Sequence, residues 1–423
     1  MKRIVVCMDG TWQRLSQERL TNIGIIARSI AHTNTAANGE KISQIVFYSQ
    51  GVGANTDALG ATSFISNAQA SFNKLAGGVF GEGLEDGIVD TYLRLAFNYE
   101  AGDELYIFGF SRGAFAARSL VGLINCSGIV SRKHAEQAWE AFRLYRERLP
   151  ENATDDQKKE HTEARQKFRL LYGKGRRNED GTRVQSDDIP PITYLGIFDT
   201  VGQRGVPDAL GAVKNLFNKR YGFHNLRICP NVVQARHAVA LDERRLGFPP
   251  TLWEDLEIDN ARVGRTAFEQ RWFIGTHGDV GGGEGSALSA APLKWVAEGA
   301  AAAGLRFYGT YGDDESPLNQ MMRESGLGFD SKITRPKFWK SLSPMNYPMR
   351  PRKVWAKREA PTLADAERDL DISVALRAEA ARVTPIYAPT PLRPFRGVLR
   401  QIAARQLKAD EMRAERKRML GLF

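Results

Sequence analysis

The stretch ELYIFGFSRGAFAARSL, Glu104–Leu120, decides the fold. Its first half is an apolar run typical of a buried strand, and its second half is typical of a helix. Between the halves, Gly109, Ser111 and Gly113 form the pattern G-x-S-x-G. A serine exposed on a sharp turn from strand to helix is the arrangement called a nucleophile elbow. The alternative interpretation is a serine that only caps the helix after a tight turn.

The alternation of strand and helix continues on both sides of this stretch. Strands alternating with helices imply an α/β fold with a mostly parallel sheet and helices on both faces. In such sheets, the active or binding site is built from polar groups at the carboxyl ends of the strands. The predicted strands are Arg3–Asp9, 44–49, 104–110, Ile192–Gly202 and a strand that begins at Gln270. The predicted helices are Thr21–Thr33, Leu84–Tyr99, Asn231–Arg245 and Ser286–Leu305.

Composition shifts divide the chain. Residues 150–190 are polar and charged, with one short helix expected near Phe168, and we interpret them as a surface insertion. We assign residues 1–310 to one α/β-hydrolase-like domain that carries this insertion. Residues 311–423 are rich in proline and charge. They are expected to form a helical C-terminal extension, either a cap or a segment that contacts a membrane or a partner.

Length and composition limit the class of protein. The chain has 423 residues, 42% of them hydrophobic, which suffices for a sizeable core. Its three cysteines are too few for a disulfide framework or a cysteine-based metal site. The apolar run between the basic start and Asp9 is only five residues long, and no run of about 18 apolar residues occurs, so neither a signal peptide nor a membrane-spanning helix is expected. The chain is therefore expected to be cytoplasmic as synthesised, with any export following a non-classical route.

The basic C-terminus suggests two roles. The chain carries a net charge of +10. Apolar side chains there recur close to one helical face: Phe395, Val398, Leu399, Ile402 and Leu407. Such a stripe surrounded by arginine and lysine fits an interfacial helix on an anionic membrane. Packing of the stripe against the rest of the protein is the favoured alternative, and no nucleic-acid partner is expected.

A serine nucleophile needs a base and a third group that orients the base. Of the six histidines, only His277 follows a strong strand and precedes a glycine-rich loop, whereas His237 is expected within a helix. Asp199 ends another strand and gives the order Ser–Asp–His of α/β-hydrolases. Asp279 is the competitor, although its position two residues from His277 favours a role in bracing the loop or binding a cation.

Backbone N–H groups must stabilise the oxyanion of an acyl-transfer reaction. One is expected from Arg112, the residue after the serine. The second is expected from Gly10 or Thr11, which follow the first strand in MDGTW. A plain turn after that strand is the equally weighted alternative.

Five motifs in order carry a family resemblance: MDGTW, GFSRGAFAAR, FDTVG, ARHAVALDERR and HGDVGGG. Over residues 1–305 the chain resembles the α/β-hydrolase-like domain of bacterial type VI secretion phospholipase effectors. The resemblance implies a Ser–Asp–His triad, here Ser111, Asp199 and His277, that cleaves fatty acyl esters of phospholipids. It also implies a secretion apparatus or an immunity protein as partner.

Other functions stay open. The same triad serves other esterases, thioesterases and acyltransferases, and a hydrolase fold can also be a catalytically silent binding module. Phosphatase chemistry is disfavoured because Cys7 occupies the position of the nucleophilic aspartate in a D-x-D-G-T loop. The glycine loops match neither phosphate-binding pattern, so no nucleotide is expected. No cofactor is required, and a structural cation near Asp279 or Asp9 has no support in the sequence.

Overall fold

The computed structural model describes residues 1–51, 79–202, 226–308, 362–371 and 395–409, apart from short gaps within these ranges. Among them, seven strands form one sheet in the order β2-β3-β1-β4-β7-β8-β9. Six of these strands run parallel, and only β2 is antiparallel. The seven strands are β1 Lys2–Met8, β2 Thr33–Thr35, β3 Lys41–Ser49, β4 Glu104–Phe110, β7 Tyr194–Phe198, β8 Ala235–Ala240 and β9 Phe268–Phe273. A separate small ribbon pairs β5 Arg176–Arg177 with β6 Arg183–Val184.

Helices cover both faces of the sheet, so the expected α/β architecture is confirmed. The helices are α1 Asn22–Ser29, α2 Val79–Asn98, α3 Arg112–Ser127, α4 Ala138–Arg146, α5 Asp155–Tyr172, α6 Leu256–Val263, α7 His277–Gly281, α8 Ala290–Ala302 and α9 Leu363–Asp369, with 3₁₀ turns at Arg132–Gln137 and Ala287–Ser289. Strand β1 shows the two-sided burial, because Ile4 and Val6 pack with α2, α3 and α4 while Val5 and Cys7 pack with α1 and α8.

The strand order places a topological switch point beside the elbow. The chain adds β3 on one side of β1 and then returns to add β4 on the other side. In open α/β sheets, ligands bind at the carboxyl ends of the strands where the order reverses in this way. Asp9 follows β1 and Ser111 follows β4, so both residues stand at that point.

The prediction of a helix over Asn231–Arg245 is wrong, because the segment contains strand β8, Ala235–Ala240. Alanine favours helices in isolation. This strand, however, lies between β7 and β9 and is covered on both faces, so its sequence ARHAVA lacks the alternation of apolar and polar residues that marks a strand with one solvent face. Tertiary pairing therefore decides its conformation. The error also misplaced His237, which lies on a central strand.

The insertion contains a longer helix than expected. Helix α5 spans 18 residues and begins at a capping box formed by Thr154 and Gln157. Among its residues only Phe168 and Arg169 are buried. Capping and local charge thus define the helix, and the weak apolar periodicity explains why the sequence predicted only a short helix.

The described parts of the C-terminal extension pack against β9. Leu370 pairs with Trp272, and the Asp371 N–H donates to the Trp272 carbonyl at 3.0 Å. Residues 397–405 are helical, and Leu399 and Ile402 are buried against this edge of the sheet. These two members of the apolar stripe are therefore covered by the protein itself, whereas Leu407 lies outside the described residues. Within the described ranges, no helix is long and apolar enough to cross a membrane.

Candidate active site

Ser111 occupies a strained turn between β4 and α3. Its φ of 57° and ψ of −122° are unusual for a residue with a side chain, and such conformations cost on the order of 1–3 kcal/mol. The two flanking glycines are required by close approach. A Cβ on Gly109 would lie 2.6 Å from the Ala114 Cα, and a Cβ on Gly113 would lie 2.2 Å from the Met8 carbonyl oxygen. The G-x-S-x-G pattern thus lets α3 begin directly against β1 and β4.

Asp199 follows β7 and is completely buried. Its backbone φ of 38° lies in the left-handed region, which aspartate tolerates better than most residues. The Asp199 N–H donates to the Ala238 carbonyl at 2.7 Å, and the Oδ1 atom accepts the Ala240 N–H at 2.9 Å. Strand β8 therefore fixes both the backbone and one oxygen of this carboxylate, which leaves Oδ2 for another donor.

His277 joins the serine to the aspartate. Its Nδ1 atom lies 2.5 Å from Asp199 Oδ2, and its Nε2 atom lies 2.7 Å from Ser111 Oγ. Because a carboxylate only accepts hydrogen bonds, Nδ1 carries the proton and Nε2 is free to accept the serine proton. Burial lowers the pKa of His277 below its ordinary value, and the Asp199 carboxylate opposes this shift. The lowered pKa favours the neutral imidazole that a general base requires.

Aromatic rings and a buried carboxylate enclose the imidazole. The rings of Phe110 and Phe248 lie 4.7 Å and 5.0 Å from the His277 ring between centroids. The Glu243 carboxylate accepts the His277 N–H at 3.3 Å and is ion-paired with Arg245. Glu243 was not among the predicted site residues, because the helix predicted over Asn231–Arg245 includes it, although it lies in ARHAVALDERR, one of the motifs that carry the resemblance. The apolar walls restrict the rotation of the ring and keep water from it.

Asp279 lies beside His277 but faces away from its ring nitrogens. Its Oδ2 atom accepts the Thr276 N–H at 2.8 Å and the Thr276 hydroxyl at 2.9 Å. These contacts form a capping box at the start of α7. The glycine-rich loop expected after β9 therefore begins as the short helix α7, and the Asp279 carboxylate stabilises the turn that presents His277.

The three residues predicted as oxyanion donors either follow Ser111 directly in the chain or follow β1, the strand that neighbours β4. Arg112 begins α3 directly after Ser111, so its backbone N–H lies in the first turn of that helix. Gly10 approaches closely, because a Cβ on it would lie 3.5 Å from the Ser111 Cβ. Its N–H, however, donates to Asp9 Oδ1 at 2.7 Å. Because the Gly10 N–H is engaged in this way, Thr11 is retained as the second candidate.

Asp9 is a second buried carboxylate next to the elbow. Its oxygens accept the Gly10 N–H, the Thr21 hydroxyl at 2.8 and 2.9 Å, and the Tyr48 hydroxyl at 2.6 Å. Burial raises the pKa of the Asp9 carboxyl to about 6, although these hydrogen bonds oppose the shift. Thr21 also caps α1. Asp9 thus ties the end of β1 to the start of α1, and no group of three metal-ligating side chains occurs in the part of the chain that the structure describes.

The other histidines that the structure describes belong to other segments of the chain. His32, His134 and His161 belong to other elements, and His224 falls outside the described residues. His237 is completely buried on β8. Its Nε2 atom accepts the Thr200 N–H at 3.2 Å. This imidazole contacts the turn that carries Asp199 and not the serine, a placement that the predicted helix could not have shown.

Together, a mostly parallel sheet and a serine, a histidine and an aspartate beyond its strand ends define the α/β-hydrolase-like class of fold. A family model described as the catalytic domain of Tle1-like phospholipase effectors of the type VI secretion system matches residues 2–299. The chain belongs to this family, so the resemblance found in the five motifs is confirmed.

Individual relatives are more distant. The chain is 27% identical over 249 residues to "Uncharacterized protein YEL023C" of Saccharomyces cerevisiae, a match covering 58% of this chain and 31% of that protein. An uncharacterized protein from Pseudomonas aeruginosa is similar in structure, with 16% identity, a TM-score of 0.37, and coverage of 79% of this chain and 51% of the other. The Tle1 effector bound to the VgrG spike of the type 6 secretion system gives 16% identity, a TM-score of 0.34, and coverage of 68% and 53%. The chain thus spans about a third to a half of the length of these relatives.

Proposed function

We propose that this protein is a serine hydrolase that cleaves carboxylic esters through Ser111, His277 and Asp199. The observation that carries the proposal is the continuous chain of hydrogen bonds from Ser111 Oγ through both ring nitrogens of His277 to Asp199. A serine hydroxyl becomes a competent nucleophile when an oriented base can take its proton. The strained elbow supports the same role, since strain of this kind recurs at catalytic serines.

In the proposed reaction, Ser111 Oγ attacks the acyl carbonyl carbon while its proton moves to His277 Nε2. The new Oγ–C bond converts the carbonyl oxygen to an oxyanion. Collapse of this intermediate breaks the bond to the alcohol, which takes the proton from Nε2 and leaves the acyl group on Ser111. Water then gives a proton to Nε2 as it attacks the acyl carbon. Collapse of this second intermediate breaks the Oγ–C bond, Ser111 Oγ takes the proton back from Nε2, and the fatty acid is released.

The backbone around the elbow supports stabilisation of the oxyanion. The N–H of Arg112 is proposed as one donor and that of Thr11 as the other, with Gly10 as the remaining candidate. Asp199 would stabilise the imidazolium that forms on His277 while staying ionised. Oriented N–H groups in a site sheltered from water can contribute roughly 3–4 kcal/mol to the transition state.

Family membership supports phospholipids as the substrate class, specifically their fatty acyl esters. It also supports association with a type VI secretion apparatus and export to a target cell, with an immunity protein as a further proposed partner. Burial of Leu399 and Ile402 argues that any contact with an anionic membrane uses a surface other than this stripe. No cofactor enters the proposed reaction.

Labelling with a fluorophosphonate, followed by peptide mapping, tests the nucleophile without knowledge of the substrate. We expect the label on Ser111 and a loss of ester turnover of roughly 10⁴-fold or more in Ser111→Ala, because the triad acts as a unit. Ser127→Ala, at the far end of the same helix, is the matched control and should keep its activity.

Substrate class is tested by comparing phospholipid vesicles with short-chain esters and acyl thioesters. Release of fatty acid from phospholipid that disappears in Ser111→Ala supports the proposal. Turnover confined to thioesters or short-chain esters would change the proposed substrate class and leave the proposed triad unchanged. Label at another residue, or unchanged turnover in Ser111→Ala, would overturn the proposed nucleophile.

A further inference from the structure

His237 has a defined tautomer within the core. Its Nε2 atom lies 3.2 Å from the Thr200 backbone nitrogen, whose N–H can only donate. Nε2 must therefore be the unprotonated, accepting nitrogen. The Nδ1 atom then carries the proton and donates to Gln270 Oε1 at 2.9 Å. The same Gln270 oxygen also accepts the Trp253 N–H at 2.9 Å, which fixes its orientation.

The accepting nitrogen meets the backbone directly after Asp199. Asp199 and Thr200, which follow β7, make three hydrogen bonds to residues of β8. The Asp199 N–H donates to the Ala238 carbonyl, and the Thr200 N–H donates to the His237 ring. In the opposite direction, the Ala240 N–H donates to Asp199 Oδ1. Asp199 holds a left-handed φ of 38° within this series. Of these contacts, only the one to the His237 ring comes from a side chain of β8, so it is the one that a substitution in β8 can remove.

The Thr200 carbonyl accepts the Thr251 N–H at 2.8 Å, which fixes the other side of the same residue. Thr200 is therefore held between His237 on one side and Thr251 on the other. The Val201 N–H donates to the Ser111 carbonyl at 3.3 Å. The turn that begins at Asp199 thus reaches the nucleophile elbow within two residues, and a shift of the turn would move the carboxylate relative to the imidazole and the serine.

We propose that His237 is a positioning residue for the proposed hydrolysis: its neutral imidazole holds the Thr200 N–H so that Asp199 Oδ2 stays aligned with His277 Nδ1. This inference rests on the proposed function of Ser111, Asp199 and His277. It assigns a role in the reaction to a histidine that makes no contact with the substrate or the reacting atoms. Misalignment by a fraction of an ångström suffices to slow such a reaction.

Two substitutions of His237 separate its two hydrogen bonds. Counting bonds from Cβ, the amide of asparagine lies at the position of Nδ1 and that of glutamine at the position of Nε2. H237N therefore keeps the contact with Gln270 and leaves the Thr200 N–H buried without an acceptor. H237Q keeps an acceptor for Thr200 and gives up the donor to Gln270. Both remove the ring, so each controls for the lost packing of the other.

We expect kcat to fall about tenfold in H237N with KM nearly unchanged, and to stay within about threefold of wild type in H237Q. Equal losses in both variants, or normal kcat in a folded H237N, would overturn the proposal. If H237N does not fold, Gln270→Leu gives a second test, since it removes the acceptor that holds the His237 tautomer. A normal kcat in folded Gln270→Leu would then contradict the inference.

The hydrogen bond between His277 and Asp199 provides a readout that needs no turnover. The proton on His277 Nδ1 should give a far-downfield ¹H NMR signal in the wild type that persists in H237Q and is lost or shifted in H237N. A signal unchanged in H237N would contradict the positioning role even if turnover fell. Absence of Ser111-dependent turnover in the wild type would instead reject the proposed function, while the NMR comparison would still decide whether His237 aligns the pair.

Discussion

Two buried aspartates stand on either side of the elbow, and they differ in what they contact. Asp9 follows β1 and Asp199 follows β7, and these two strands flank β4, which leads to Ser111. Asp199 Oδ2 meets the imidazole of His277. Asp9 instead meets two hydroxyls and a backbone N–H. Both aspartates are buried at the carboxyl ends of strands that flank β4. Asp199 therefore holds the titratable imidazole of His277, whereas Asp9 holds a turn.

The difference shows that position at a strand end does not by itself place a carboxylate against an imidazole. What matters is whether its free oxygen faces a group that changes its charge during the reaction. Asp9 accepts from three donors on its two oxygens and none of them is basic, so its role is to hold the loop after β1. Substitutions of the two residues should consequently affect different quantities, the rate for Asp199 and the stability for Asp9.

The largest effect is expected for Asp199→Asn. The amide should occupy the same space and leave the free energy of unfolding nearly unchanged. It would present an N–H or a neutral oxygen to His277, so the imidazole would lose its tautomer and its charge stabilisation, and kcat should fall by about 10⁴-fold. Ester turnover and thermal unfolding of the same preparation measure the two effects. Near-normal turnover in Asp199→Asn would remove the distinction between the two aspartates.

Asp9 should control how stability depends on pH. Its pKa is raised to about 6 in the folded protein, whereas an aspartate in the unfolded chain titrates near 4. Between these values the folded state binds a proton that the unfolded state does not, so stability falls as the pH rises. In Asp9→Asn this contribution is absent, and the difference in unfolding free energy between variant and wild type should change by roughly 3 kcal/mol between about pH 4 and pH 7.

Denaturant titrations of both proteins at several pH values measure this change. The sign is part of the prediction, because the wild type should lose stability relative to Asp9→Asn as the pH rises. A constant difference across the range would show that the Asp9 carboxyl titrates alike in both states. Asp199→Asn, followed in the same way, provides the comparison at the other flanking strand.

The smallest effect on turnover is expected for Asp279→Asn. Asp279 is a third buried carboxylate, so this variant extends the comparison of Asp9 with Asp199. Its oxygen accepts two donors from Thr276 at the start of α7, and asparagine can still accept one of them. Loss of the charged cap should cost about 1 kcal/mol of stability. Turnover should fall less than tenfold, because His277 keeps its contact with Asp199. A collapse of turnover in this variant, with near-normal turnover in Asp199→Asn, would exchange the assignments.

The proximity of Ser111, Asp199 and His277 was predictable from features of the sequence that depend on local chemistry. Glycines around Ser111 are required by backbone contacts of 2–3 Å that a Cβ would make, so the elbow appears as a short pattern. Asp199 and His277 follow apolar strands that end where the chain turns, and parallel strands bring such ends to one edge of the sheet. The prediction therefore needed only the order and direction of the strands.

What the sequence could not predict depends on contacts between distant segments. Strand β8 has a helix-prone composition, and only its position between two parallel partners makes it a strand. The roles of His237 and Glu243 follow from that placement, so they were missed with it. Likewise, the hydrogen bond from the Gly10 N–H to Asp9 depends on the orientation of the Asp9 side chain, which the motif MDGTW does not determine.

The sheet order also governs when the site can form during folding. Ser111 and His277 are 166 residues apart in the chain, and Asp199 and His277 are 78 apart. Contacts between such distant segments carry a large loop-closure cost and form slowly compared with the neighbouring helices. His277 is delivered by β9, which pairs only with β8 among the seven strands of the sheet. Ser111 can thus meet His277 only after β9 has joined the sheet, so under the proposed function labelling of the serine would report completion of the sheet and not its beginning.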